Sequence, residues 1–305
     1  MPRSINYRPI LIDELITNER LNSYVPVFQH SDDVELVGAY LWNTHVCSAL
    51  YPLLTAAEVT LRNSIDTALA QNISHFWWSR SRLHYKSFAN GSPEPFAVSA
   101  IKNNFSKAAD QVRKDKRSRY GIANVRPTHH EVIAKTEFST WEFILDPEFM
   151  GPGLIWPTYL GAVFKGNWPS SKASTMLSST KDLVKTVREF RNRVSHHEPV
   201  WKRHGVQTEL DAVAHLHEKI NKITQLIALV SPDKEQLILR NGLLSRAKMV
   251  CSIDELRRCQ HSIKPQNVKS MSKLCRLAQQ AVRDNNAIPV TVYKLGKTRF
   301  IIQPD

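Results

Sequence analysis

The chain has 305 residues, 42% of them hydrophobic, which is enough to bury a substantial core as one large or two modest domains. Only 10 glycines are present, which suits a mostly helical protein, and no run of eighteen apolar residues could span a bilayer. The net charge of +13 is concentrated in residues 101–126, which carry +6, and residues 231–305, which carry +8. Charge gathered in this way favours a polyanionic partner over a uniformly basic surface.

A short helix is expected around Leu11 to Leu21, and then a loop containing Pro26. Ser31-Asp32-Asp33 supplies a helix N-terminus for a long helix or helix pair to about Asn72. Leu50, Leu54, Ala57, Leu61, Ile65 and Ala68 form its apolar stripe. His75 to Pro95 reads as irregular, and residues 97–118 as a helix ending in the basic run Arg113 to Arg119. Another helix should start after Pro127, and Glu137 to Phe164, broken by Pro147, Gly151-Pro152-Gly153 and Pro157, fits two short helices joined by a turn.

Residues 173–198 predict an amphipathic helix with Leu183, Val187, Phe190 and Val194 on one face, ending near Glu198 because Pro199 disfavours helical geometry there. Leu210 to Val230 predicts another. Pro232 marks a domain boundary, giving a helical domain over 1–230 and a basic region over 231–305. That region should hold short helices near Ile253–Cys259 and Gln266–Arg283. Its alternating tail predicts a β-hairpin turning at Leu295-Gly296.

The end of the 173–198 helix carries the chemistry. Arg191, Asn192, His196 and His197 gather in its last turns, and arginine and histidine together suit work on a phosphodiester. Arg191-Asn192-x-x-x-His196 resembles the Arg-x(4–6)-His motif of HEPN ribonucleases. "RNRVSHHEPVW" is similar to the corresponding segment of Abi-like, AbiD/AbiF-type abortive-infection proteins. Two further blocks agree in order, Tyr40 to Ile65 and Glu137 to Phe164, so the resemblance spans roughly residues 10 to 230.

What the resemblance implies is a mostly α, HEPN-type helical bundle with added helices, here followed by the small basic region and its hairpin. It implies a toxin or effector of abortive-infection or toxin–antitoxin defence that cuts RNA without a metal by 2′-hydroxyl attack. His196 would move the proton, Arg191 would clamp the phosphate and Asn192 would orient phosphate or imidazole. Residues five apart on a helix point about 140° away from each other, so one copy converges poorly on a phosphate. A homodimer with a composite site, which the family also implies, would solve this. An RNA or protein antitoxin is a further expected partner. The competing reading is a non-catalytic HEPN-fold protein that binds RNA or a partner. A purely structural reading of the motif itself has Arg191 in a salt bridge with a carboxylate and His196 capping the helix. Glu198 stands where HEPN toxins paired with nucleotidyltransferase antitoxins tend to carry tyrosine, which speaks against that scheme.

Supporting roles remain open for several residues. His197 would assist His196, contact RNA or complete the cap. Arg62 and Asn63 would line the cleft, although an ion pair between Glu58 and Arg62, four residues apart, is the favoured reading. Arg113, Lys114, Lys116 and Arg117 are expected to hold RNA phosphates. Trp77, Trp78, Trp141 and Trp201 are candidates for base stacking. The apolar setting of Trp141 speaks for core, and Trp201, beside Lys202 and Arg203, is the strongest of the four. No metal site is expected: Cys47, Cys251, Cys259 and Cys275 form no CxxC pair, and the adjacent histidines fan out too far to chelate one ion. No cofactor motif is present. The N-terminus lacks the apolar core of a signal peptide, so a cytoplasmic protein with reduced thiols is expected.

Overall fold

The computed structural model describes residues 4–79, 81–88, 93–122, 124–263, 265–284, 288–292 and 298–302. They are mostly helical, and no helix among them is long and apolar enough to cross a membrane. After a wide helical turn at Ile10–Ile16 come α1 (Asn18–Leu21), α2 (Asp33–Asn72), α3 (Phe96–Tyr120), α4 (His129–Ala134), α5 (Phe138–Phe143) and α6 (Leu160–Val163). These are followed by α7 (Ala173–Ser195), α8 (Glu209–Val230), α9 (Pro232–Arg240), α10 (Leu243–Val250), α11 (Ile253–Cys259), β1 (Gln266–Val268), α12 (Met271–Asp284), β2 (Ile288–Val292) and β3 (Thr298–Ile302).

Two compact units share the chain. One holds Met1–Tyr51, Arg193–Ile220 and Asn241–Asp305, and the other holds Pro52–Asn192 and Asn221–Arg240. In the second unit the α2 stripe Leu54, Ala57, Leu61, Ile65 and Ala68 is buried as its spacing requires. The buried face of α3 (Val98, Ile101, Phe105, Ala108 and Val112) follows the same three- and four-residue rhythm, and α3 packs on α4 and α5. Thr128 starts α4 with a reciprocal capping box to Glu131. The buried Asp66 carboxylate accepts from Trp77 Nε1 at 3.0 Å and pairs with His129 Nε2 at 2.8 Å, so this polar group carries partners into the core. Gly166 lies so near α8 that an added Cβ would stand 2.1 Å from the Ala228 carbonyl oxygen, and only glycine fits.

In the first unit Trp42 is fully buried and donates to the Val250 carbonyl at 2.9 Å, tying α2 to α10. The sheet order is β1-β2-β3: β1 runs parallel to β2, with Gln266 opposite Val290, and β2 pairs antiparallel with β3, with Ile288 opposite Ile302. Helix α12 covers one face, burying Leu277 and Ala281 against Val268, Ile288, Val290 and Val292.

Three local differences from the sequence reading have physical causes. The segment expected to start a helix at Gln266 is a strand instead, because β2 offers it a parallel ladder. Helices α9 and α10 follow Pro232, which sits at the first helical position, where its missing N–H costs nothing. The motif helix stops at Ser195, three residues early, for the reason given below. The expected turn at Leu295-Gly296 lies outside the described residues.

Candidate functional site: the end of the motif helix

Helix α7 buries Leu183, Val184, Val187, Phe190 and Val194, which leaves the positions between them to carry polar groups. It is closed by a left-handed residue. His197 has φ 55°, its N–H bonds to the Val194 carbonyl at 3.2 Å, and the Glu198 N–H reaches the Arg193 carbonyl at 3.0 Å. This pair of bonds satisfies carbonyls that a helix end leaves bare. His196 and His197 therefore sit in the closing turn, and the helix does not extend to Glu198 as expected.

The turn is held from several sides within its unit. Arg193 pairs with Glu198 at 3.2 Å and donates to the carbonyls of Lys202 at 2.7 Å and Pro199 at 2.5 Å. Asn43 donates to the Glu198 carbonyl at 3.1 Å and accepts the Val200 N–H at 2.9 Å. Arg20 donates to the His197 carbonyl at 2.5 Å. Against this fixed backbone both imidazoles are exposed, and neither forms a hydrogen bond with another described residue. Trp201 is 1% exposed and packs edge-on against Tyr24 and Phe28 with ring centres 5.1 and 4.7 Å away. It anchors the turn, so its faces are not open to a base, and the stacking role expected for it is corrected. Trp77 and Trp141 are fully buried as well.

In the other unit, Arg191 Nε lies 3.2 Å from a Glu58 carboxylate oxygen, and Arg191 Nη1 lies 3.5 Å from Asn192 Oδ1. Arg62 Nε donates to Asn63 Oδ1 at 3.1 Å. Burial pushes the Glu58 carboxyl pKa up, and the guanidinium groups of Arg191 and Arg62 pull it partly back. Glu58 thus takes its ion-pair partner from α7 and not from Arg62, correcting the expected i, i+4 pair. The structure brings Glu58, Arg191 and Asn192 together; its two Arg-Asn steps, 62–63 and 191–192, flank a single carboxylate.

The basic run ends α3 as expected, but its charge is partly neutralised. Arg113 pairs with Asp110 at 2.6 Å and Lys116 with Glu131 at 2.6 Å. Lys116, with Thr128, holds the Glu131 carboxyl down at about 2. Lys114 and Arg117 are exposed and form no such ion pair among the described residues. Lys202 and Arg203 are exposed too, with Arg203 paired to Glu218 at 2.7 Å. Sequence reasoning missed Arg20, Asn43 and Arg193. Arg193, inside the motif string, and Asn43, inside the Tyr40 to Ile65 block, gave signals that could have been followed.

The family model for Abi-like proteins matches residues 17–202, well over half of the chain. This chain belongs to the Abi-like protein family. The matched stretch of this Abi-like protein runs from α1 to the buried Trp201, so it contains the long helix, the aromatic block and the whole motif turn. Helix α8 and everything after it lie beyond the match. No match was found among curated proteins or solved structures. Family membership suggests a role in abortive infection.

Proposed function

We propose that this Abi-like protein is a metal-independent endoribonuclease of the HEPN type, an AbiD/AbiF-like toxin or effector that cuts cytoplasmic RNA in abortive-infection or toxin–antitoxin defence. One observation carries the reading: His196, an exposed imidazole with no hydrogen bond to another described residue, sits on a rigidly latched turn five residues after an arginine that a half-buried carboxylate holds. His196 removes the ribose 2′-hydroxyl proton, the 2′-oxygen attacks the adjacent phosphorus, and Arg191 stabilises the charge on the phosphoryl oxygens. The 5′-oxygen leaves with a proton from a second imidazole, which a homodimer supplies. Products are a 2′,3′-cyclic phosphate and a 5′-hydroxyl.

A protein that only binds RNA would use the same basic residues but has no need of an exposed His196 at the motif position. Incubating the purified protein with labelled RNA in EDTA, followed by end-group analysis, separates the two. Cyclic phosphate ends that vanish in His196→Ala are the expected result. Intact RNA bound by both proteins would overturn the enzyme reading.

A further inference from the structure

Away from the motif, the first unit assembles three metal-ligating side chains that are far apart in the sequence. His45 comes from α2, and Glu255 and Cys259 lie one turn apart on α11. His45 Nδ1 is 3.3 Å from Glu255 Oε1 and 3.8 Å from Cys259 Sγ, and the three ligand atoms lie within 4.8 Å of one another. Ordinary zinc bond lengths in a tetrahedron put N and O about 3.4 Å apart and N and S about 3.6 Å apart. The two distances from the imidazole are therefore already those of a zinc site. Closing the carboxylate onto the thiol takes a shift of at most about 1.2 Å, within the reach of a side-chain rotation.

The cluster's own positive charge at present is Arg258. It donates from Nε to Glu255 Oε2 at 2.6 Å, from Nη2 to Glu255 Oε1, and its Nη2 lies 3.3 Å from His45 Nδ1. Nδ1 is the ring nitrogen that faces the cluster, and in the tautomer with its proton on Nε2 it offers the lone pair a metal ligand needs. The Arg258–Glu255 pair is bidentate, but the Arg258 side chain is 36% exposed, so its guanidinium has solvent to swing into when an ion takes its place. Beside it lies a cavity of about 360 Å³ lined by His45, Ser48, Arg246, Glu255 and Arg258. It has room for a displaced guanidinium and for a water as fourth ligand. His45 is 48% exposed and opens the route to solvent.

We propose that His45, Glu255 and Cys259 bind one zinc ion, with Arg258 holding the same cluster closed when no ion is bound. The imidazole, carboxylate and thiolate set favours a borderline-soft ion over magnesium or calcium, which want oxygen ligands. Binding releases the Cys259 thiol proton to solvent, and the ion pins α11 to α2. Arg258 makes the ion dispensable for folding, so this site is independent of the cleavage chemistry proposed for the motif.

Cobalt(II) and zinc(II) titrations of the chelator-treated full chain test the assignment. One equivalent of cobalt should bind and give a thiolate-to-cobalt charge-transfer band that zinc bleaches. His45→Ala, at an exposed position the core does not depend on, should weaken binding by at least about tenfold, as loss of a ligand implies. Cys259→Ser should abolish the band, and Cys275→Ser should retain it. Arg258→Met, which removes the competing cation, should tighten zinc by about threefold or more. A saturated cobalt spectrum without a thiolate band, a band that survives Cys259→Ser, or unchanged affinity in both His45→Ala and Arg258→Met would overturn the proposal.

Discussion

Glu58 and Arg191 form an ion pair at 3.2 Å between two helices, in which a half-buried carboxylate holds the arginine of the motif by its Nε edge. The carboxylate thereby fixes the orientation of the guanidinium. Glu58→Gln should keep the side-chain volume and lose the charge that orients Arg191. The expected outcome is a fall in the single-turnover cleavage rate of at least about tenfold, with stability changed by about 1 kcal/mol or less, since the pair is partly solvated. An unchanged rate would remove Glu58 from any positioning role.

His196→Ala and Arg191→Lys should each lose most of the cleavage activity. Lysine keeps the charge but not the two-pronged phosphate grip. Because the His196 side chain is exposed, His196→Ala should unfold at nearly the wild-type denaturant midpoint. Mixing an Arg191→Ala protomer with a His196→Ala protomer should restore one working site if each site draws on both copies. A monomer that still cuts RNA at micromolar concentration would rule out the shared site.

His197 holds a left-handed backbone, φ 55°, at a strain of about 1 kcal/mol or more; glycine would relieve that strain, and its greater freedom in the unfolded chain would cancel part of the gain. His197→Gly should therefore be about 0.5 kcal/mol more stable than wild type by urea denaturation, and His197→Val about 1 kcal/mol or more less stable. If His197→Gly still cleaves RNA at the normal rate, the ring serves only to close the helix.

Within the basic run, Lys114 and Arg117 should matter more to RNA than Arg113 and Lys116, whose charges are spent on Asp110 and Glu131. Neutralising Lys114 and Arg117 together should flatten the salt dependence of binding by about 1.4 in log–log slope, at about 0.7 per phosphate contact. Equal effects from the two pairs would show that the intramolecular ion pairs open when RNA binds.

Buried His215 makes no hydrogen bond from either ring nitrogen to another described residue, and desolvation, with Lys219, Arg203 and Arg193 nearby outweighing Glu218, brings its pKa down to about 4. The folded state thus resists a proton that the unfolded chain accepts near 6.5. Above that pH the residue is neutral in both states and adds no proton-linked penalty. As pH falls from about 6.5 to about 4 the protein should lose stability, by about 3 kcal/mol when the loss is complete. Urea midpoints at pH 7 and pH 5 should separate in the wild type and separate less in His215→Leu. The same separation in both would trace the acid sensitivity to other groups.

The sequence by itself determined the helices. The buried stripes of α2, α7 and α8 repeat within a few turns, so the signal and the element that obeys it occupy the same stretch of chain. The motif string was legible for the same reason. Partner choice was not. Glu58 had Arg62 one turn away and took Arg191, because ion pairing follows proximity in space and α7 supplies the nearer guanidinium. Trp201, flanked by two cations, looked like a surface aromatic until Tyr24 and Phe28 covered it, a contact between residues about 175 apart in sequence. Strand β1 exists only where β2 gives its backbone a ladder. The His45, Glu255 and Cys259 cluster had no linear spacing to announce it: α11 supplies two ligands one turn apart, and only packing on α2 brings the third.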